Sequence, residues 1–176
     1  MKHAFLAGLL LAATADGFAD EPARFQVFGA AGLGLGTGSL KTTHLAIGSG
    51  YGLGRHISAG VDLGYSYVPL ADQARGGGNR AYWGLATLTA HPLSSAKVSP
   101  YFVVGYGRGR FAPSYRRSDS GKTAAAGVGL QVRLNPRASL FIEGRLAMMG
   151  GITAADGLHM ELPVRVGFRY RPGQHH

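Results

Sequence analysis

Three side chains in the first half of the chain could together make a nucleophile: His56, Ser58 and Asp62. A hydroxyl activated by an imidazole, itself oriented by a carboxylate, is the chemistry of a hydrolase. On an extended strand all three would point to one face, because side chains alternate with period two. Residues two apart on a strand nevertheless stand roughly 7 Å apart, too far for direct contact unless rotamers converge. No catalytic residue is therefore expected. The other motifs fail on spacing. Gly121-Lys122-Thr123 ends like a phosphate loop, but Arg116 occupies the position five residues earlier where that loop needs glycine. Glycines recur at spacing two (Gly32, Gly34 and Gly36; Gly48, Gly50, Gly52 and Gly54; Gly105, Gly107 and Gly109), without the i, i+2, i+5 register of a dinucleotide site. The 7 histidines have no paired metal-ligand spacing, and the absence of Cys removes thiolate sites and disulfides. No metal, no cofactor and no enzymatic activity are expected.

The elements that would carry these residues are strands. In Ile57–Val68, the odd positions Ile57, Ala59, Val61, Leu63, Tyr65 and Tyr67 are apolar, and the even positions Ser58, Gly60, Asp62, Gly64 and Ser66 are small or polar. Leu162, Val164, Val166, Phe168 and Tyr170 oppose Glu161, Arg165, Gly167, Arg169 and Arg171 in the same way. Leu140, Ile142, Leu146 and Met148 oppose Ser139, Glu143 and Arg145; Ala126, Val128, Leu130, Val132 and Leu134 oppose Gly127, Gly129, Gln131 and Arg133. Four more strands are expected over Arg24–Leu35, Thr42–Leu53, Arg80–Ala90 and Tyr101–Phe111. The last two are apolar on both faces, which leaves their orientation open.

Short joints are expected at Gly54–His56, His91–Ser99 and Asn135–Arg137. Longer polar loops are expected at Gly36–Lys41, Pro69–Asn79, Ala112–Gly121 and Gly151–His159. Eight antiparallel strands of spanning length, with short turns at one end and long loops at the other, describe an all-β, up-and-down transmembrane barrel. Aromatics fit two interfacial belts: Phe25, Tyr51, Tyr101, Phe168 and Tyr170 near the short turns, and Tyr65, Tyr67, Trp83 and Phe111 near the long loops. A soluble barrel would instead concentrate its rings inside. Period-two glycine empties one face, leaving room in a narrow lumen for a few large inward residues. Those are Asp62, Glu143, Arg145, Arg165 and Arg169. Glu143 should neighbour Arg165, and an arginine should bridge the lumen to Asp62, giving a salt-bridged plug. The alternative is a narrow charged passage.

Composition agrees. A chain of 176 residues that is 45% hydrophobic and 15% charged is neither disordered nor large enough for several domains. Lys2 and His3 precede an apolar run from Ala4 to Ala13, too short to span a bilayer and followed by small-x-small sites at Ala13-Thr14-Ala15 and Gly17-Phe18-Ala19, the second preferred for cleavage. Residues 1–19 are thus expected to be a cleaved signal peptide, and 20–176 the barrel. The formal charge of +9 suits polyanions, but an exported chain meets little nucleic acid, and none is expected as a partner.

These residues resemble the small eight-stranded bacterial outer-membrane β-barrel family, the OmpA-, OmpX- and OmpW-like barrels. The resemblance covers Arg24 to Tyr170, and its best local signature is the closing strand Leu162–Tyr170. It implies a cell outer-membrane location, recognition of that strand by the barrel-assembly machinery, and a monomer among outer-membrane lipid. The loops then imply structural, adhesive or surface-interaction roles. A narrow porin-like conduit or solute-binding barrel is the alternative, and a lipid-modifying enzyme a more remote one. The His-x-Ser spacing also resembles that of outer-membrane lipid A deacylases. Here, however, the pair would face the lumen by a short turn, away from lipid A. Arg108, Arg110, Arg116, Arg117 and Lys122 bracket one long loop, where they would either meet the phosphates of lipopolysaccharide or stand as solvated loop charge.

Overall fold

Period-two alternation calls for a sheet with unlike faces, and here that sheet has no edges. The computed structural model describes residues 25–36, 39–69, 78–93, 96–112, 119–150 and 159–172. The expected signal peptide and its cleavage point lie outside them, as do Arg116 and Arg117. Eight strands run in chain order: β1 (Phe25–Gly36), β2 (Ser39–Gly52), β3 (Ile57–Pro69), β4 (Gly78–Ala90), β5 (Val98–Ala112), β6 (Asp119–Arg133), β7 (Ala138–Gly150) and β8 (His159–Tyr170). Each pairs antiparallel with the next, and β1 pairs with β8 to close the barrel. Closure gives every strand a paired neighbour on both sides, as a sheet that crosses hydrocarbon requires.

The two faces differ as a lipid-facing wall and a polar lumen should. Leu33 is 70% exposed and Ile47 64%; Val61, Phe102, Val128 and Val166 share that outward face. Such an apolar girdle would make a soluble protein aggregate, and it suits a bilayer. Inside, the charged residues are buried, and Asp62 is 0% exposed.

The structure also resolves what alternation left open. In β4 the odd positions face inward, with Ala81 and Leu85 buried, and Tyr82 and Ala86 lie outside. In β5 Tyr101 and Val103 are buried, and Phe102, Val104 and Tyr106 face out. This corrects the belt assignment. Tyr101 and Trp83 are lumenal, and Phe111 lies on the inward register of β5. Inward glycines make that possible: a Cβ at Gly64 would strike the Trp83 ring, and one at Gly129 the Tyr101 ring. Phe25, Tyr51, Phe168 and Tyr170 do stand outside, near the short turns. The loop expected over Gly36–Lys41 narrows to residues 37–38, because β2 begins at Ser39. The contrast in loop length is therefore less regular than expected.

Candidate functional site

Strand β8 places one charged side chain in each of three lumenal tiers, since residues four apart share a face: Glu161, Arg165 and Arg169. The middle tier is an ion-pair knot. Glu143 and Arg165 are cross-strand partners of β7 and β8, and Arg165 Nε donates to Glu143 Oε1 at 2.9 Å. Arg145 Nε donates to the same oxygen at 2.8 Å. Both guanidinium groups then cross the lumen to Asp62 Oδ2 on β3, Arg145 Nη1 at 2.6 Å and Arg165 Nη2 at 2.7 Å. The Tyr101 hydroxyl donates to the other oxygen of Glu143 at 2.9 Å. Two carboxylates against two guanidiniums leave the knot neutral, the condition under which buried charge is tolerated.

Arg169 stands apart from this knot. Its Nη1 donates to Gln131 Oε1, and its guanidinium lies 5.5 Å from the Tyr101 ring centre and 5.3 Å from that of Phe141. Among the described residues it has no carboxylate partner. Its tier is the lower one, toward the short turns, where Phe28, Tyr101, Val103 and Phe141 form an apolar cluster.

The upper tier was not foreseen. Thr42 Oγ1 lies 2.6 Å from His44 Nε2, His44 Nδ1 lies 3.7 Å from Glu161 Oε2, and Ser66 Oγ donates to Glu161 Oε1 at 2.7 Å. Hydroxyl, imidazole and carboxylate stand in the order a nucleophilic site uses. Thr42 and His44 are each only 1% exposed. A signal did exist, because Thr42, His44, Ser66 and Glu161 all fall on inward register positions. What alternation could not supply was their meeting across three strands.

The first hydrolase candidate does not assemble. His56 lies in the turn before β3, exposed, with its Nδ1 3.0 Å from the carbonyl oxygen of His91. Ser58 is buried in the lumen, and Asp62 is held by the two arginines. Among the described residues no group of His, Cys, Asp or Glu could hold a metal.

On the outer wall toward the loop end, Arg108, Arg110 and Lys122 are exposed, together with Arg80. Arg108 and Lys122 are directly opposed across β5 and β6, and Arg110 is opposed by Tyr82 of β4. At the other end, the short turns surround a vestibule of about 630 Å³ lined by Gln26, Ser58, His91, Ser99 and Gln131 and by cationic side chains. Burial, then Arg169, Arg171 and His56, lower the His91 pKa from 6.5 to about 3.

A closed eight-stranded ring with an apolar exterior and a polar interior has the fold of a transmembrane β-barrel. Solved structures agree on the fold. Neisserial surface protein A (NspA) matches with a TM-score of 0.72 and 17% identity, over 86% of this chain and 100% of that one. The outer membrane enzyme PagL matches with a TM-score of 0.60 and 14% identity, over 80% and 97%. The outer membrane protein OprG from Pseudomonas aeruginosa matches with a TM-score of 0.56 and 14% identity, over 89% and 99%. No family model and no curated protein matches the sequence.

Proposed function

We propose that this protein is a non-enzymatic, monomeric outer-membrane barrel that acts through its loop-end surface, its lumen closed by the knot of Asp62, Glu143, Arg145 and Arg165. The observation that carries the reading is the double bridge from β7 and β8 to Asp62 across the lumen. Ions would have to pass a charge-neutral, desolvated cluster, and opening it would strand several buried charges. The loop-end wall then supplies the contact with partners. Arg108 and Lys122 repel each other across the ladder. A lipopolysaccharide phosphate between them would turn that repulsion into paired charge-assisted hydrogen bonds. Arg116 and Arg117 belong to the same loop in sequence. The vestibule favours a second reading, a narrow conduit or solute-binding barrel, because it opens half of the path.

Planar-bilayer recordings separate the two. Wild-type protein is expected to show no large steady current, and Glu143→Ala to show channel events. Large steady currents from wild type would overturn the plug and favour the conduit.

A further inference from the structure

The outer wall is not smooth. Where β8, β1, β2 and β3 lie side by side, a groove of about 530 Å³ is sunk into it. Its cause is a local shortage of side chains on the outward parity. Gly29 of β1 stands opposite Ile47 on one side and Phe168 on the other, and a Cβ built on it meets nothing within 4 Å. Ser49, diagonal to Gly29, stands opposite Val27 and Val61, so a second small residue extends the gap. Large side chains rise around the depression, with Ile47 64% and Leu63 53% exposed. On the lumenal side a Cβ at Gly48 would strike the Phe28 ring, so an aromatic ring backs the floor.

Lining and depth set the kind of occupant. None of the ten lining residues is charged, and the polar side chains among them are Ser49 and Tyr170. An apolar ligand fits such a surface, and a solvated ion or headgroup does not. Gly29 lies four residues along β1 from Phe25 of the short-turn belt, about 10 Å of height on a strand tilted by about 40°. That depth falls within one leaflet's half of the hydrocarbon core, about 15 Å. Tyr170 marks the edge nearer the short turns, where a phenol suits the boundary between water and hydrocarbon. Ten residues are too few for a second copy, since a stable interface takes about 20–30 residues a side.

We propose that this groove is a lipid-binding site that holds one acyl chain of a membrane phospholipid. With hydrocarbon on every side there is no hydrophobic gain, so the affinity comes from packing. A chain against convex wall is touched on one side; in the groove it is touched by the floor and by both flanks. Roughly ten extra carbon contacts hold it about fivefold more strongly than the rest of the wall does. The site rests on the reading of the outer wall as hydrocarbon-facing and is independent of the plug and of the loop-end contact.

The test uses the full chain, folded in phosphatidylcholine vesicles containing a small fraction of phosphatidylcholine with a diazirine in one acyl chain. After irradiation, mass spectrometry maps the cross-linked residues. The yield on Val27, Ile47 and Val61 is expected to exceed that on Phe102 and Val104 of the opposite wall by about fivefold. Gly29→Leu, whose side chain fills the groove, should bring it down to the level of that wall. Gly144→Leu, at an outward glycine of β7 whose Cβ also meets nothing within 4 Å, should leave it unchanged. Should Gly29→Leu give no heat-modifiable band, Ser49→Leu must show the fall instead. An even yield around the wall, or an undiminished yield in a folded groove variant, would overturn the site. A wild-type dimer that Gly29→Leu dissociates would overturn it in favour of a second copy. A wild-type chain without a heat-modifiable band would take the transmembrane wall down with the groove, whereas even labelling of a folded barrel removes the groove alone.

Discussion

Glu143 and Arg165 face each other across β7 and β8, and the bond between them, 2.9 Å from Nε to Oε1, is the local half of a bridge whose other half spans the lumen to Asp62. One guanidinium thus ties adjacent strands together and also ties opposite walls.

Removing the shared acceptor should cost more than any single contact suggests. In Glu143→Gln, Arg145 and Arg165 keep their charge and lose one of two carboxylates, 3% exposed in the native barrel. Loss of one partner from a buried ion pair costs about 3–5 kcal/mol. Urea unfolding from lipid vesicles should show a loss of that size. A change under about 1 kcal/mol, the scale of an exposed pair, would mean that water reaches the knot.

Glycine placement predicts a contrast between two similar substitutions. Gly129→Ala puts a methyl group into the Tyr101 ring and displaces the hydroxyl that serves Glu143. Gly29→Ala meets nothing within 4 Å on the lipid face. The first should destabilise by about 1–3 kcal/mol, as overpacking does, and the second should be neutral or mildly stabilising. Comparing the temperature at which the folded, faster-migrating band disappears on a gel checks both.

Stability should fall in acid partly through His91. Its folded pKa of about 3 lies below the ordinary 6.5, so from pH 6.5 down to 3 the unfolded chain takes up a proton that the folded barrel refuses. The contribution is complete above pH 6.5 and is lost as pH falls, at up to about 1.4 kcal/mol per pH unit. His91→Gln should show a shallower decline over that window. Parallel curves for wild type and variant would show that the imidazole protonates freely in the fold.

Reversing the wall charges should weaken the lipopolysaccharide contact without touching the lumen. Arg108→Glu/Lys122→Glu should abolish the extra thermal stability of the barrel in lipid A-containing bilayers, and raising salt should weaken the wild-type effect. Equal stabilisation of wild type and variant by lipid A would remove the wall from the proposed function.

Much of this barrel follows from alternation alone. In β3 and β8 the outward parity is apolar and the inward parity mostly small, polar or charged, so strand type and facing follow directly, whereas β7 adds inward Phe141 and Met149 to its inward Ser139, Glu143 and Arg145. Placing Asp62, Glu143, Arg145, Arg165 and Arg169 inside the lumen needs nothing more, because a strand's side-chain period does not drift. The same rule is silent where both parities are apolar, as in β4 and β5. Trp83 and Tyr101 sit at interfacial heights along their strands, yet they point inward into space left by Gly64 and Gly129 on neighbouring strands. Parity also cannot say which lumenal groups meet. Arg169 shares its face with Arg165, but it binds Gln131 rather than a carboxylate. Thr42, His44, Ser66 and Glu161 come from three strands to one tier. The sequence by itself determined strand number, the facing of the strands whose parities differ and the inward charges, because those depend only on local period. The tertiary structure decided the partners, because distances across a lumen are set by ring closure and strand stagger, to which every strand contributes.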